Sequence, residues 1–172
     1  MRERTVLIDS ISKRFAMTGY RLGFAVGPAD VIANMTKMQE NVAACAALPS
    51  QYAAIEAYTN CLSETRIAEE FERRRDFICE GLSAIPGLEF VRPDATFYVF
   101  VDISSTGLDC VDFAYKLLES QHVAVVPGVA YGENYTSYVR IAFTHDVSVL
   151  HLAIERIAAF LDELKAEEAP AR

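Results

Sequence analysis

The sequence predicts an α/β protein in two parts, with residues 1–62 an incomplete segment of a larger sheet domain and residues 63–165 an α+β domain. Three observations carry this. Two short apolar runs near the start are each followed by loop-forming residues. A strongly charged helix begins near residue 63. After it, strands and helices alternate so that helices can cover one sheet.

The first run, residues 5–8, holds Thr5, Val6, Leu7 and Ile8 ahead of polar Asp9 and Ser10, the pattern of a buried strand that delivers a loop at its C-terminal end. Open α/β sheets place their chemistry at such ends. A second strand, 22–26, stops at Gly27-Pro28. Helical character follows over 29–38, and again over 50–58, where Pro49 opens an alanine-rich segment. Two strands cannot cover their own edges and faces. They are therefore expected to belong to a larger parallel sheet whose other strands lie outside this sequence.

From residue 63, Ile67, Phe71, Ile78, Leu82 and Ile85 recur at helical spacing, with Glu and Arg between them, until Pro86-Gly87 ends the helix. Strands are expected over 88–91 and 96–101, the second with Phe97, Val99 and Val101 on one face. The next helix has an apolar stripe of Val111, Ala114, Leu117 and Leu118, and a strand over 123–126 runs into Pro127-Gly128. In the strand 138–143, Val139, Ile141 and Phe143 alternate with Tyr138, Arg140 and Ala142, so Arg140 must project away from the aliphatic face. Asp146 is the expected N-cap of a last helix striped with Leu150, Ala153, Ile154, Ile157, Leu161 and Leu164, and residues 166–172 form a tail.

Composition narrows the function. With 52% hydrophobic and 23% charged residues the chain can bury a real core, which argues against disorder. A net charge of -8 argues against a nucleic-acid surface, which needs clustered Lys and Arg. The four cysteines, Cys45, Cys61, Cys79 and Cys110, have no CxxC pair and no histidine at ligand spacing, so no metal site is expected and they read as small buried thiols. No apolar run approaches the roughly 20 residues that span a bilayer. Without a membrane segment or a leader-like start, the expected location is cytoplasmic and the expected partners are small molecules or proteins.

The stretch that carries chemistry is Ser10-Ile11-Ser12-Lys13, continuing to Gly19-Tyr20-Arg21-Leu22-Gly23. Lys13, on a loop past a strand, offers an amine nucleophile. Ser10 offers a hydroxyl on the same loop, and Arg21 offers a planar fork of donors for an anion such as phosphate. From spacing alone, a surface Lys-Arg pair between two strands explains the same residues.

Every position from Ser10 to Gly23 fits the lysine-attachment pattern of class I and II aminotransferases, and further segments follow in that family's order. Phe97-Tyr98-Val99-Phe100 resembles its "AFYxF" strand, Val126-Pro127-Gly128 with Tyr131-Gly132 its "PGxxFG" loop, and the residues from Tyr138 to Phe143 its "YVRIxF" strand. Asp94-Ala95-Thr96 departs from the Gly-Ala pair common there. The chain thus resembles the C-terminal portion of a fold-type-I, aspartate-aminotransferase-like enzyme dependent on pyridoxal 5′-phosphate.

The resemblance implies the fold of that transferase family, with the cofactor lysine in a large domain of which residues 1–62 are a part and a small domain over 63–165. It implies that Lys13 holds the cofactor and moves the substrate Cα proton, that Ser10 and Arg21 bind the 5′-phosphate, and that Arg140 binds the substrate carboxylate. Ser12, Tyr20 and Tyr131 are equally packing or site-lining residues, and His122, His145 and His151 receive no role. The expected reaction passes an amino group from an amino acid such as aspartate to a 2-oxo acid, in a homodimer. Such enzymes carry their lysine well past mid-chain, so this polypeptide alone is expected to be inactive. A lyase or decarboxylase of the same fold, or a non-catalytic sensor domain, fits the same residues.

Overall fold

A computed structural model describes residues 1–62 and 65–168, with the side chains of 167 and 168 left aside. The chain divides into two compact units, Met1–Ile67 and a second beginning at Ala68. The break expected after residue 62 adjoins Ser63 and Glu64, which lie outside the described residues.

In the first unit, β1 (Leu7–Ser10) and β2 (Gly23–Val26) form a two-stranded antiparallel ladder, with Leu7 opposite Val26 and Ser10 opposite Gly23. The expectation that these strands lie in a parallel arrangement is corrected for the pair itself. A further correction concerns β1, which is not buried: Leu7 and Ile8 are 53% and 76% exposed. The pair is covered only in part, where Tyr58 meets Phe24 and Asp9. Between them, Ile11–Arg14 forms the single turn α1 in place of a loop. α2 (Ala29–Ala43) runs five residues beyond its expected end because no breaker follows Met38, and α3 (Leu48–Asn60) carries Pro49 in its first turn, where the missing N–H costs nothing.

The second unit is a four-stranded antiparallel sheet in the order β3-β4-β6-β5, from Glu89–Phe90, Tyr98–Asp102, Tyr138–Ala142 and Val126–Pro127. The central ladder pairs Val99 with Ile141 and Val101 with Val139, and all four side chains point to one face. That face meets α4 (Arg66–Ser83) through Ile78 and Leu82, α5 (Cys110–Gln121) through Phe113 and Leu117, and α6 (Val147–Glu168) through Leu150, Ile157 and Phe160, making one core. Both outer strands are shorter than expected. β5 keeps only Val126 of its expected run and adds Pro127, which cannot donate to the ladder.

The stripe of α5 is rotated from its expected position. Val111 and Leu118 are exposed while Cys110 and Phe113 are buried, because the Asp109 carboxylate caps the helix by accepting the Val111 and Asp112 N–H groups and so fixes which face turns inward. Cys45 and Cys61 are exposed, so only Cys79 and Cys110 are the buried thiols that composition suggested. α6 continues to Glu168, three residues into the expected tail, and 169–172 lie outside the described residues. At its start the Asp146 carbonyl accepts from Val149 and Leu150, and Arg74 of α4 donates to the Thr144 carbonyl at 2.6 Å and to Asp146 Oδ1 at 3.0 Å.

Candidate functional site

The end of β1 shapes the first group. Asp9 Oδ1 accepts the Ser10 N–H at 2.7 Å, and Ser10, as N-cap of α1, accepts the Ser12 N–H through Oγ at 3.3 Å. Neither bond uses the hydroxyl proton of Ser10. Ile11 is fully buried and donates its N–H to the Leu22 carbonyl, which fastens the turn to the strand returning beside it. Lys13, in the same turn, is exposed.

Arg21 sits in the left-handed region, with φ 50°, after the 3-10 turn Thr18–Tyr20, and its Nη1 donates to the Thr18 carbonyl at 2.9 Å. The backbone just before it is held by Ser50 of α3, a buried polar residue whose hydroxyl donates to the Tyr20 carbonyl at 2.8 Å. Ser10, Arg21 and Ser50 share the wall of an open cleft of about 1280 Å³ with Asp9, Phe24 and Met35, while Lys13 is not among the residues of that wall. Gly23, opposite Ser10, must lack a side chain: a Cβ there would lie 2.9 Å from the Asp9 carbonyl oxygen.

The second group belongs to the second unit. Arg140 stands on the sheet face opposite the core, across the ladder from Phe100, and its guanidinium lies over two rings, 4.0 Å from the centroid of Tyr98 and 4.8 Å from that of Tyr131. Its Nε is buried and has no hydrogen-bond partner among the described residues. Phe100 continues the aromatic layer, stacked on Tyr138 at 5.0 Å and edge-on to Tyr135 at 5.3 Å. Beside it the Asp102 carboxyl is pushed up by burial, but the Ser104 N–H and hydroxyl and the Tyr138 hydroxyl outweigh this and hold it below the usual range.

Ser10 and Arg21 are thus brought to one cleft, with Lys13 on the adjoining turn, while Arg140 belongs to the other unit and lies among tyrosines. Ser12 supports the turn through its backbone, and Tyr131 packs on Arg140. Sequence reading missed Tyr98 as the second ring on Arg140, although its alternation with Val99 and Val101 places it on Arg140's face. It also missed Asp9 and Tyr58, whose contact joins positions far apart in sequence and leaves no local signal.

A hydroxyl and a guanidinium on one cleft wall, next to a lysine-bearing turn, form a donor set suited to a phosphorylated carbonyl cofactor, and an antiparallel sheet layered with helices accompanies it. The match to the aminotransferase class I and II family model extends over residues 1–157, and the chain belongs to that family, whose members use pyridoxal phosphate. It is 40% identical over 163 residues to an aspartate aminotransferase of Pyrococcus horikoshii, covering 93% of this chain and 42% of that protein. To the aromatic-amino-acid aminotransferase 2 of Thermococcus litoralis it is 38% identical over 168 residues, covering 96% and 43%. The crystal structure of an aromatic aminotransferase from Pyrococcus horikoshii superposes with a TM-score of 0.90 at 39% identity, covering 96% of this chain and 45% of the other. The chain therefore spans somewhat under half the length of the relatives it matches, and corresponds to their C-terminal part. Among the described residues no helix is long and apolar enough to cross a membrane.

Proposed function

We propose that the protein to which these residues belong passes the amino group of an amino acid to a 2-oxo acid, with pyridoxal 5′-phosphate held by Lys13. The observation that carries this reading is the lysine-bearing turn itself, in the family's pattern, with the Ser10 hydroxyl and the Arg21 guanidinium on one adjoining cleft wall. The cofactor, when bound, supplies the electron sink for breaking a bond at the substrate Cα.

Four of the chain's own residues take part. Ser10 donates its unused hydroxyl proton and Arg21 its free N–H groups to the phosphate, a charge-assisted clamp that fixes the cofactor's tail. The Lys13 Nζ holds the cofactor and, once released, takes up and returns the Cα proton as general base. Arg140 receives the substrate carboxylate. Tyr98 and Tyr131 hold the guanidinium by cation–π contact, and its planar fork of donors can form two parallel hydrogen bonds to a carboxylate. Aspartate is the first substrate to assay, because it names several relatives of similar identity.

The test is a titration with pyridoxal phosphate followed by borohydride reduction and peptide mapping, with Lys13→Ala as control. Saturable binding with the reduced adduct confined to Lys13 is expected. Adducts spread over surface lysines, unchanged in Lys13→Ala, would overturn the assignment.

A further inference from the structure

A helix of one turn does not hold itself, because nucleation costs more than its few hydrogen bonds return. α1 therefore depends on what grips its ends. Both ends lead to one side chain on α3, Tyr58. Its hydroxyl donates to Asp9 Oδ2 at 3.1 Å, and the other oxygen of that carboxylate accepts the Ser10 N–H. At the far end Phe15, the C-cap of α1, packs edge-on against the Tyr58 ring at 5.0 Å and 80°. Phe24 of β2 closes the ring's other contact at 5.5 Å and 78°.

The geometry points to Tyr58 as a positioning residue: through Asp9 at one end and Phe15 at the other, it sets the turn that presents Ser10 and Lys13. The inference rests on the reading of Lys13 as the cofactor lysine. Its content is that the pose of the cofactor depends on a phenol that does not belong to the attachment pattern. Burial and the bond to Asp9 both raise the Tyr58 pKa above its ordinary value, so the hydroxyl remains a donor throughout the neutral range. Its proton also tempers the Asp9 carboxylate, which lies next to the serine proposed to receive a phosphate dianion.

Tyr58→Phe keeps the ring and its edge contacts and removes only the donor, while Tyr58→Leu removes both. Amide exchange of the whole chain, read by mass spectrometry over residues 9–15, measures the turn without the cofactor. Induced circular dichroism and borohydride trapping with pyridoxal phosphate measure its consequence. In Tyr58→Phe, exchange over 9–15 should rise about fivefold, the factor that loss of one ordinary hydrogen bond corresponds to. Exchange over α2 should stay unchanged, the trapped adduct at Lys13 should fall by a similar factor, and the induced signal should change shape. Tyr58→Leu should exceed both effects.

Unchanged exchange over 9–15, or a rise spread evenly over the first unit, would overturn the positioning role. The two readings fail separately. If the unsubstituted chain forms no adduct at Lys13 while Tyr58→Phe loosens the turn, the cofactor reading falls, and with it the role toward the cofactor. If Lys13 is labelled and Tyr58→Phe alters neither exchange nor dichroism, only the role of Tyr58 falls.

Discussion

Replacing Gly128 by alanine tests whether the loop carrying Tyr131 is fixed by backbone contact. A Cβ at Gly128 would lie 2.3 Å from the Tyr135 carbonyl oxygen and 2.6 Å from that of Tyr138. Close carbon-oxygen contacts settle at roughly 3.3 Å, so the loop must open by up to about 1 Å. Both obstacles are backbone, and no rotamer change relieves them. Overpacking costs about 1–3 kcal/mol, and the upper half of that range applies here because the strain enters β6 at Tyr138, two residues from Arg140. For a unit of this size about 2 kcal/mol lowers the melting temperature by roughly 10 °C, measurable by circular dichroism. Gly107→Ala is the control within the same unit. Nothing lies within 4 Å of its Cβ, but its φ of +69° makes alanine strained, at a cost of about 1 kcal/mol. If Gly128→Ala melts with the parent chain, or no lower than Gly107→Ala, the contact argument is wrong.

Phe113→Ala should cost about 3–5 kcal/mol, since the ring is 2% exposed and meets Phe160 edge-on; denaturant unfolding gives the value, and a loss under 1 kcal/mol would contradict the core assignment. Asp102→Asn should narrow its stability deficit as the pH falls. A carboxyl held below its ordinary value stabilises the fold above that value and loses this contribution as pH drops through its folded pKa, so a gap as wide at pH 2.5 as at pH 6, on a scale set by an ordinary Asp near 3.9, would refute the linkage. Tyr131→Ala removes one ring from Arg140, so phenylglyoxal should modify Arg140 faster by peptide mapping, and an unchanged rate would show that Tyr131 does not shield it.

The second unit was legible where a short period repeats. Alternation through Val99, Val101, Val139 and Ile141 specified both the inward face and, by default, the outward placement of Arg140. α5 was misjudged by one position, because Val111 and Phe113 both satisfy an apolar stripe and only the cap at Asp109 decides between them. In the first unit the attachment pattern singles out Ser10, Lys13 and Arg21 as candidates, but not the turn that holds Ser10 and Lys13. α1 exists through Asp9, Tyr58 and the Leu22 carbonyl, contacts between elements that no local propensity encodes.

The β4–β6 ladder shows why one arginine could be picked out at all. On the helix-covered face, aliphatic side chains pack so closely that composition is set by volume alone. On the opposite face, Tyr98, Phe100 and Tyr138 form a layer that does not replace water's hydrogen bonds, and the Nε of Arg140 is buried with no hydrogen-bond partner among the described residues. A cation so placed loses hydration that the ring faces return only in part, by about 0.5–2 kcal/mol per contact. An arriving carboxylate would supply hydrogen bonds and charge that the rings lack. Under the proposed role of Arg140, the residual cost of holding it in this state would be recovered on binding, which would make this position a better receptor for a carboxylate than a solvated surface arginine.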